Sequence, residues 1–194
     1  MRVIALTGGI AMGKSTVARL FHRHAIPVFD ADREVHRLQA PGGAALPAIA
    51  AAFPGTVIGH RLDRAALRQA VLGNAAALRR LEDILHPLVR VATLRFIARH
   101  RRARRRAVLL DIPLLFEAGA AIRPDLILVV SAPAALQRQR LARRGTLSAA
   151  QIAAILARQW PDAARRARAD HVIKTGLSRR HAQARLARLL KDLP

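Results

Sequence analysis

The stretch LTGGIAMGKSTVARL, Leu6 to Leu20, decides the fold. It follows RVIA and holds Gly8, Gly9, Gly13 and the first lysine of the chain, Lys14. Arg2 followed by an apolar segment has the look of an export signal. That segment is broken by Thr7-Gly8-Gly9 and ends at Lys14, and no small-x-small cleavage pattern follows. The alternative is a phosphate loop. Gly8, Gly13, Lys14 and Ser15 satisfy G-x-x-x-x-G-K-[ST] between an apolar strand and a helical stretch. Glycines let backbone N–H groups turn onto phosphate oxygens, and the helix N-terminus adds positive potential. Lys14 then reaches the β- and γ-phosphates and Ser15 ligates Mg²⁺. A plain glycine turn accounts for the glycines and leaves Lys14-Ser15-Thr16 unexplained. Gly8, Gly9, Ile10, Ala11, Met12, Gly13, Lys14, Ser15 and Thr16 are therefore expected to bind ATP.

Working outward, short apolar runs alternate with helical stretches. RVIAL, IPVFD, RRAVLLD, DLILVVS and DHVIK read as strands. Uninterrupted runs such as Val108-Leu109-Leu110 suit parallel strands buried on both faces. The alternation predicts a doubly wound α/β sheet. Residues 33–105 hold no comparable strand and are expected to form a helical subdomain inserted on the sheet. A second helical excursion hinges near Gly145. A last helix begins at Ser178, with Leu186, Leu189, Leu190 and Leu193 as its apolar stripe.

Composition narrows the function. The chain has 194 residues, enough for one domain, and no cysteine, which excludes disulfides and thiolate metal sites. No run approaches a membrane span, so a soluble cytoplasmic protein is expected. The net charge of +22 suggests a polyanionic partner, either nucleic acid or a phosphorylated small molecule. Aromatics are only 3%, too few for a base-stacking platform, which disfavours single-strand nucleic acid. RHRRARRR, residues 99–106, reads as a solvated helix end. A GTPase would need N-K-x-D, and the single asparagine, Asn74, precedes Ala75.

Carboxylates and arginines supply the remaining chemistry. Asp30 and Asp32 lie at the end of the second strand, where α/β sheets bind ligands. In an extended segment they share one face, and a carboxylate there can take a hydroxyl proton. Equally, Asp32 could cap a helix starting near Arg33. Asp111 ends the third strand, the place of an acidic residue in a Mg²⁺ shell, directly or through water. Arg138, Arg140, Arg143 and Arg144 crowd one helix, and one or two of them could serve a transferring phosphoryl group. Glu82 and His86, four apart on a helix, suit a helix-face contact or a substrate-pocket wall better than a metal site.

Together these pieces resemble the dephospho-CoA kinases, P-loop kinases of coenzyme A biosynthesis. LTGGIAMGKS, Asp30-Ala31-Asp32, LDRAAL (62–67), LEDILHP (81–87), DIPLLFE (111–117), QRQRLARRGTLS and RADHVI carry the resemblance across nearly the whole chain. It implies transfer of the ATP γ-phosphoryl to the ribose 3′-hydroxyl of dephospho-CoA, with Mg²⁺. It implies Asp32 as general base, Lys14 as phosphate clamp, Arg140 as transition-state arginine and Arg144 as a second lid arginine. Asp30, His86, Pro113, Leu114, Leu115 and Glu117 would line the CoA side, and Ser15 and Asp111 would serve the metal. The implied fold is a three-layer P-loop kinase with a five-stranded parallel sheet, a helical substrate subdomain and a helical lid. Its core would be 1–32, 106–135 and 168–194, the insertion about 33–105 and the lid about 136–160, in a chain acting as a monomer.

Departures from the family pattern carry expectations of their own. Ala11 stands where the family has glycine, so a negative φ is expected there. FPG replaces a Phe-Gly turn. KTGLS replaces an Asn-x-Gly type loop, so the adenine contact of that asparagine is either lost or made by the backbone at Thr175 and Gly176. The competing readings are a P-loop kinase for another small acceptor, such as a nucleoside monophosphate or shikimate, and a nucleic-acid-binding ATPase.

Overall fold

The structure, a computed structural model, describes residues 1–113, 115–116, 122–145, 148–157 and 159–191, without the side chains of 144, 149, 150, 154 and 179. Leu114, Glu117, Leu193 and the Arg144 side chain, all singled out above, lie outside the described residues. The chain divides into two compact units, Met1–Phe29 with Ile97–Pro194, and Asp30–Phe96.

The first unit is built on a five-stranded sheet. Its strands are β1 (Arg2–Thr7), β2 (Val28–Asp30), β5 (Ala107–Asp111), β6 (Leu126–Ser131) and β7 (His171–Lys174), in the order β2-β5-β1-β6-β7. β1 runs parallel to both β5 and β6, and β6 runs parallel to β7. The central strands are apolar without alternation because helices cover both faces; every residue of β5 is buried. α1 (Lys14–Arg23) buries Val17, Ala18, Leu20 and Phe21, the i, i+1, i+3, i+4 pattern of one helix face. These side chains join Ile4, Leu6, Leu109, Leu128, Ile173 and Leu186 in one core. Full burial of a side chain such as Phe21 contributes about 1.5–3 kcal/mol. α6 (Ala134–Arg144), α7 (Ala149–Ala157), α8 (Asp162–Ala167) and α9 (Arg179–Lys191) complete this unit. α6 stops at Gly145, whose φ of 63° is the left-handed conformation that a helix C-terminus favours. Ser178 caps α9, its hydroxyl accepting from His181 N–H at 3.1 Å.

The second unit contains α2 (Ala31–Leu38), α3 (Leu46–Ala52), α4 (Arg64–Val71) and most of α5 (Ala75–Arg102), which continues into the first unit. Leu38, Ile49, Phe53, Leu67, Leu81 and Leu85 form its own core. α5 continues through Pro87, although the ring removes one helical hydrogen bond. In the basic run 99–106 every residue but the half-buried His100 is exposed, in keeping with a solvated helix end. One element departs from the expectation of an all-helical segment. Val57–Ile58 (β3) and Arg61–Leu62 (β4) form a short antiparallel hairpin around Gly59-His60, both at positive φ.

Among the described residues, no helix is long and apolar enough to cross a membrane.

Candidate active site

The site grows from the turn between β1 and α1. β1 ends at Thr7, and Gly8 to Gly13 lead into α1, which begins at Lys14. The first amides of a helix have no helical acceptors. Thr16 and Val17 N–H close on Gly13 O at 3.0 and 3.3 Å, so Lys14 and Ser15 present the leading amides. Gly13 has φ 96°, and a Cβ there would lie 3.0 Å from Thr175 Oγ1, so both conformation and space call for glycine. Ser15 is exposed.

Asp111 is brought to this loop by strand register. Leu6 in β1 pairs with Asp111 in β5, so the parallel strand ends emerge side by side. Lys14 Nζ meets Asp111 Oδ1 at 2.5 Å, with side chains only 17% and 7% exposed. Both expected roles therefore converge on one ion pair: the lysine meant for phosphate and the carboxylate meant for the metal shell. Two residues on, Pro113 O accepts from the Thr7 hydroxyl at 3.0 Å, and Leu115 is buried. These contacts tie the start of DIPLLFE to the loop's entrance.

Ala11 corrects an expectation. Its φ is 59°, in the left-handed region, not below zero. The loop keeps the backbone path that glycine would take because its neighbours are fixed. Met12 N–H closes on Gly9 O at 3.1 Å, and Ala11 O accepts from Arg140 Nη1 at 3.2 Å. A left-handed alanine costs roughly 1–2 kcal/mol, partly offset against the greater chain entropy that glycine would lose. Ala11→Gly is accordingly expected to raise stability by up to about 1 kcal/mol, or about 2–4 °C in Tm. Thermal unfolding of the two proteins measures this, and a lower Tm for the variant would refute the strain.

Arg140, expected to serve the transferring phosphoryl group, is held here by protein acceptors. Its guanidinium donates to Ala11 O, to Thr175 Oγ1 at 3.3 Å and to Thr175 O at 2.8 Å. One acceptor is a carbonyl of the loop and the other two belong to Thr175, just after β7. At Thr175, whose backbone was one candidate for an adenine contact, the carbonyl accepts from Arg140. Gly176 packs against Pro133, whose Cδ would lie 2.5 Å from an added Cβ.

In the second unit, Asp30 is the N-cap of α2, its Oδ1 accepting from Arg33 N–H at 2.9 Å. The extended segment that would put Asp30 and Asp32 on one face ends at Asp30. Asp32 is neither strand nor cap; it sits exposed in the first turn of α2 beside Glu34. Helix formation wins here because Asp30 satisfies a first-turn amide and two acidic residues complement the helix dipole. Glu82 and His86 are exposed on α5, and no cluster of three or more metal-ligating side chains occurs among the described residues.

Sequence reasoning did not single out Gln137 or Gln159 and gave Thr175 only a backbone role; all three touch the loop from 120 or more residues away. Gln137 Nε2 donates to Ile10 O at 2.8 Å, Ile10 N–H donates to Gln159 Oε1 at 3.0 Å, and the Thr175 hydroxyl donates to Met12 O. No local pattern signals such partners.

A family model described as dephospho-CoA kinase matches residues 2–180. The chain belongs to the dephospho-CoA kinase family. It is 51% identical to a dephospho-CoA kinase of Gluconobacter oxydans, over 100% of this chain and 98% of that one. Among solved structures it superposes on TT1252 from Thermus thermophilus with a TM-score of 0.85 at 34% identity, covering 100% and 98% of the two chains. Shikimate kinase from Acinetobacter baumannii shares the fold at a TM-score of 0.54 and 19% identity, over 99% and 94%. The fold is therefore shared beyond the family, and the sequence match is what places the chain in the dephospho-CoA kinase family.

Proposed function

We propose that this chain transfers the γ-phosphoryl of ATP to the ribose 3′-hydroxyl of dephospho-CoA, giving CoA and ADP. The observation that carries the proposal is the match of residues 2–180 to the dephospho-CoA kinase family. The site supports it through a phosphate loop with a half-buried lysine at its exit.

In this reading, the Lys14 and Ser15 amides and the Lys14 ammonium bind the β- and γ-phosphates. Lys14 leaves Asp111 as nucleotide enters, exchanging one anionic partner for another. Asp32 takes the proton of the 3′-hydroxyl as its oxygen bonds to the γ-phosphorus and the bond to the ADP oxygen breaks. The donor set suits Mg²⁺: an exposed serine hydroxyl in the first turn and one carboxylate at a strand end, with substrate phosphates providing further ligands. Ser15 would hold the ion directly and Asp111 through water, and the ion would neutralise charge developing on the β–γ bridge. Asp30, His86, Pro113, Leu114, Leu115 and Glu117 are assigned to the acceptor side, Gly176 to the nucleotide, and Arg144 to the lid, about 136–160. A cytoplasmic monomer is proposed with it.

ADP release measured in parallel with dephospho-CoA, AMP and shikimate tests the acceptor. Turnover at least about a hundredfold faster with dephospho-CoA is expected, the discrimination a polar acceptor site readily supplies. Folded protein that turns over AMP or shikimate faster would overturn the acceptor and leave the kinase class standing.

A further inference from the structure

Three successive carbonyls of the phosphate loop are held from outside it. Ile10 O accepts from Gln137 Nε2 at 2.8 Å, Ala11 O from Arg140 Nη1 at 3.2 Å, and Met12 O from the Thr175 hydroxyl. The holders are themselves connected, since Arg140 Nη2 donates to Thr175 O at 2.8 Å. Gln137 is only 8% exposed. Gly9 makes room for this arrangement: a Cβ there would lie 2.6 Å from Arg165 Nη1, 3.2 Å from Gln159 Oε1 and 3.3 Å from Gln137 Nε2.

A planar trans peptide points its C=O and its N–H in opposite directions. Fixing the carbonyls of Ile10, Ala11 and Met12 on one side therefore turns the amides of Ala11, Met12 and Gly13 to the other. The Met12 amide closes on Gly9 O, which among the described residues leaves those of Ala11 and Gly13 for an anion. The same bonds hold Ala11 at its left-handed φ of 59°.

We propose that Gln137 and Thr175, alongside Arg140, are positioning residues for nucleotide: they set the amide side of the loop by gripping its carbonyl side. This rests on reading Gly8 to Thr16 as the ATP-binding loop of the kinase. Gln137 and Arg140 are three apart on α6 and so project from one side of it. Movement of α6 and the phosphate-binding form of the loop are thereby coupled, and nucleotide and the seated helix strengthen each other reciprocally.

The test compares Thr175→Val, which keeps the shape and loses the hydroxyl, with Thr175→Ser, which keeps the hydroxyl, and with Gln137→Met. ADP affinity is measured by calorimetry, KM for ATP and for dephospho-CoA by ADP release, and amide exchange over residues 8–13 by mass spectrometry. Losing one donor to a shielded carbonyl should weaken ADP binding about tenfold. Thr175→Val and Gln137→Met are thus expected to raise the ADP Kd and the ATP KM about tenfold and to speed exchange in the loop. The KM for dephospho-CoA should stay within about twofold, and Thr175→Ser should recover most of the affinity, because the donor returns. Folded Thr175→Val and Gln137→Met proteins that bind ADP like the parent would overturn the proposal. So would Thr175→Ser binding as weakly as Thr175→Val. If Thr175→Val does not fold, Gln137→Met decides alone, its side chain being buried against the Ile10 carbonyl. A parent protein that binds no ADP refutes the loop reading itself, whereas one that binds ADP and phosphorylates another acceptor refutes only the acceptor.

Discussion

Lys14→Met is expected to reduce turnover at least about a thousandfold, the scale on which loss of a preorganised charge at a reacting centre is felt. Methionine matches the length of the lysine stem and removes only the ammonium. In the structure that ammonium lies 2.5 Å from Asp111 Oδ1, so the substitution also takes a cation from a carboxylate with a 7% exposed side chain. A stability loss of about 2 kcal/mol should accompany the kinetic one, below the 3–5 kcal/mol of a fully buried pair because Lys14 is partly open to water. The two effects separate in Lys14→Met/Asp111→Asn. Neutralising the carboxylate should bring the unfolding midpoint back towards the parent while turnover stays lost. A single variant within tenfold of the parent kcat would remove Lys14 from the chemistry.

Asp32→Asn is expected to lower kcat by about 10²–10⁴, the usual contribution of a positioned base. The fold gives this test unusual clarity. Asp30, and not Asp32, accepts from Arg33 N–H, so the cap of α2 survives the substitution. Only the favourable charge in the first turn is lost, worth about 0.3–1 kcal/mol. The ADP Kd should stay within about twofold, since this substitution leaves the loop and its holders untouched. Near-normal kcat in the folded variant would exclude Asp32 as base and turn attention to Asp30.

What was legible in the sequence, and what was not, follows from where the determining interactions lie. β1, β5 and β6 are visible because burial on both faces forces unbroken apolar runs, and Val108-Leu109-Leu110 has no other use. Gly13 and Lys14 are visible because the phosphate loop is built from contiguous residues. The sequence offered Asp32 as the cap of a helix starting near Arg33, whereas α2 starts at Ala31 and its cap is Asp30, which accepts from Arg33 N–H. The β3–β4 hairpin escapes because each strand is two residues long and shows no period. Ala11 was misjudged from its own preference: an alanine alone avoids φ of 59°, but here its carbonyl is held by Arg140. The grip of Gln137 and Thr175 on the loop is invisible to any local reading, since it joins residues 127 and 163 positions apart.

The account is tested most directly by the fate of the γ-phosphoryl group. With γ-labelled ATP, Mg²⁺ and dephospho-CoA, the account predicts stoichiometric label in CoA as a ribose 3′-phosphomonoester. Label recovered only as inorganic phosphate, or on any position other than the 3′-hydroxyl, would contradict it.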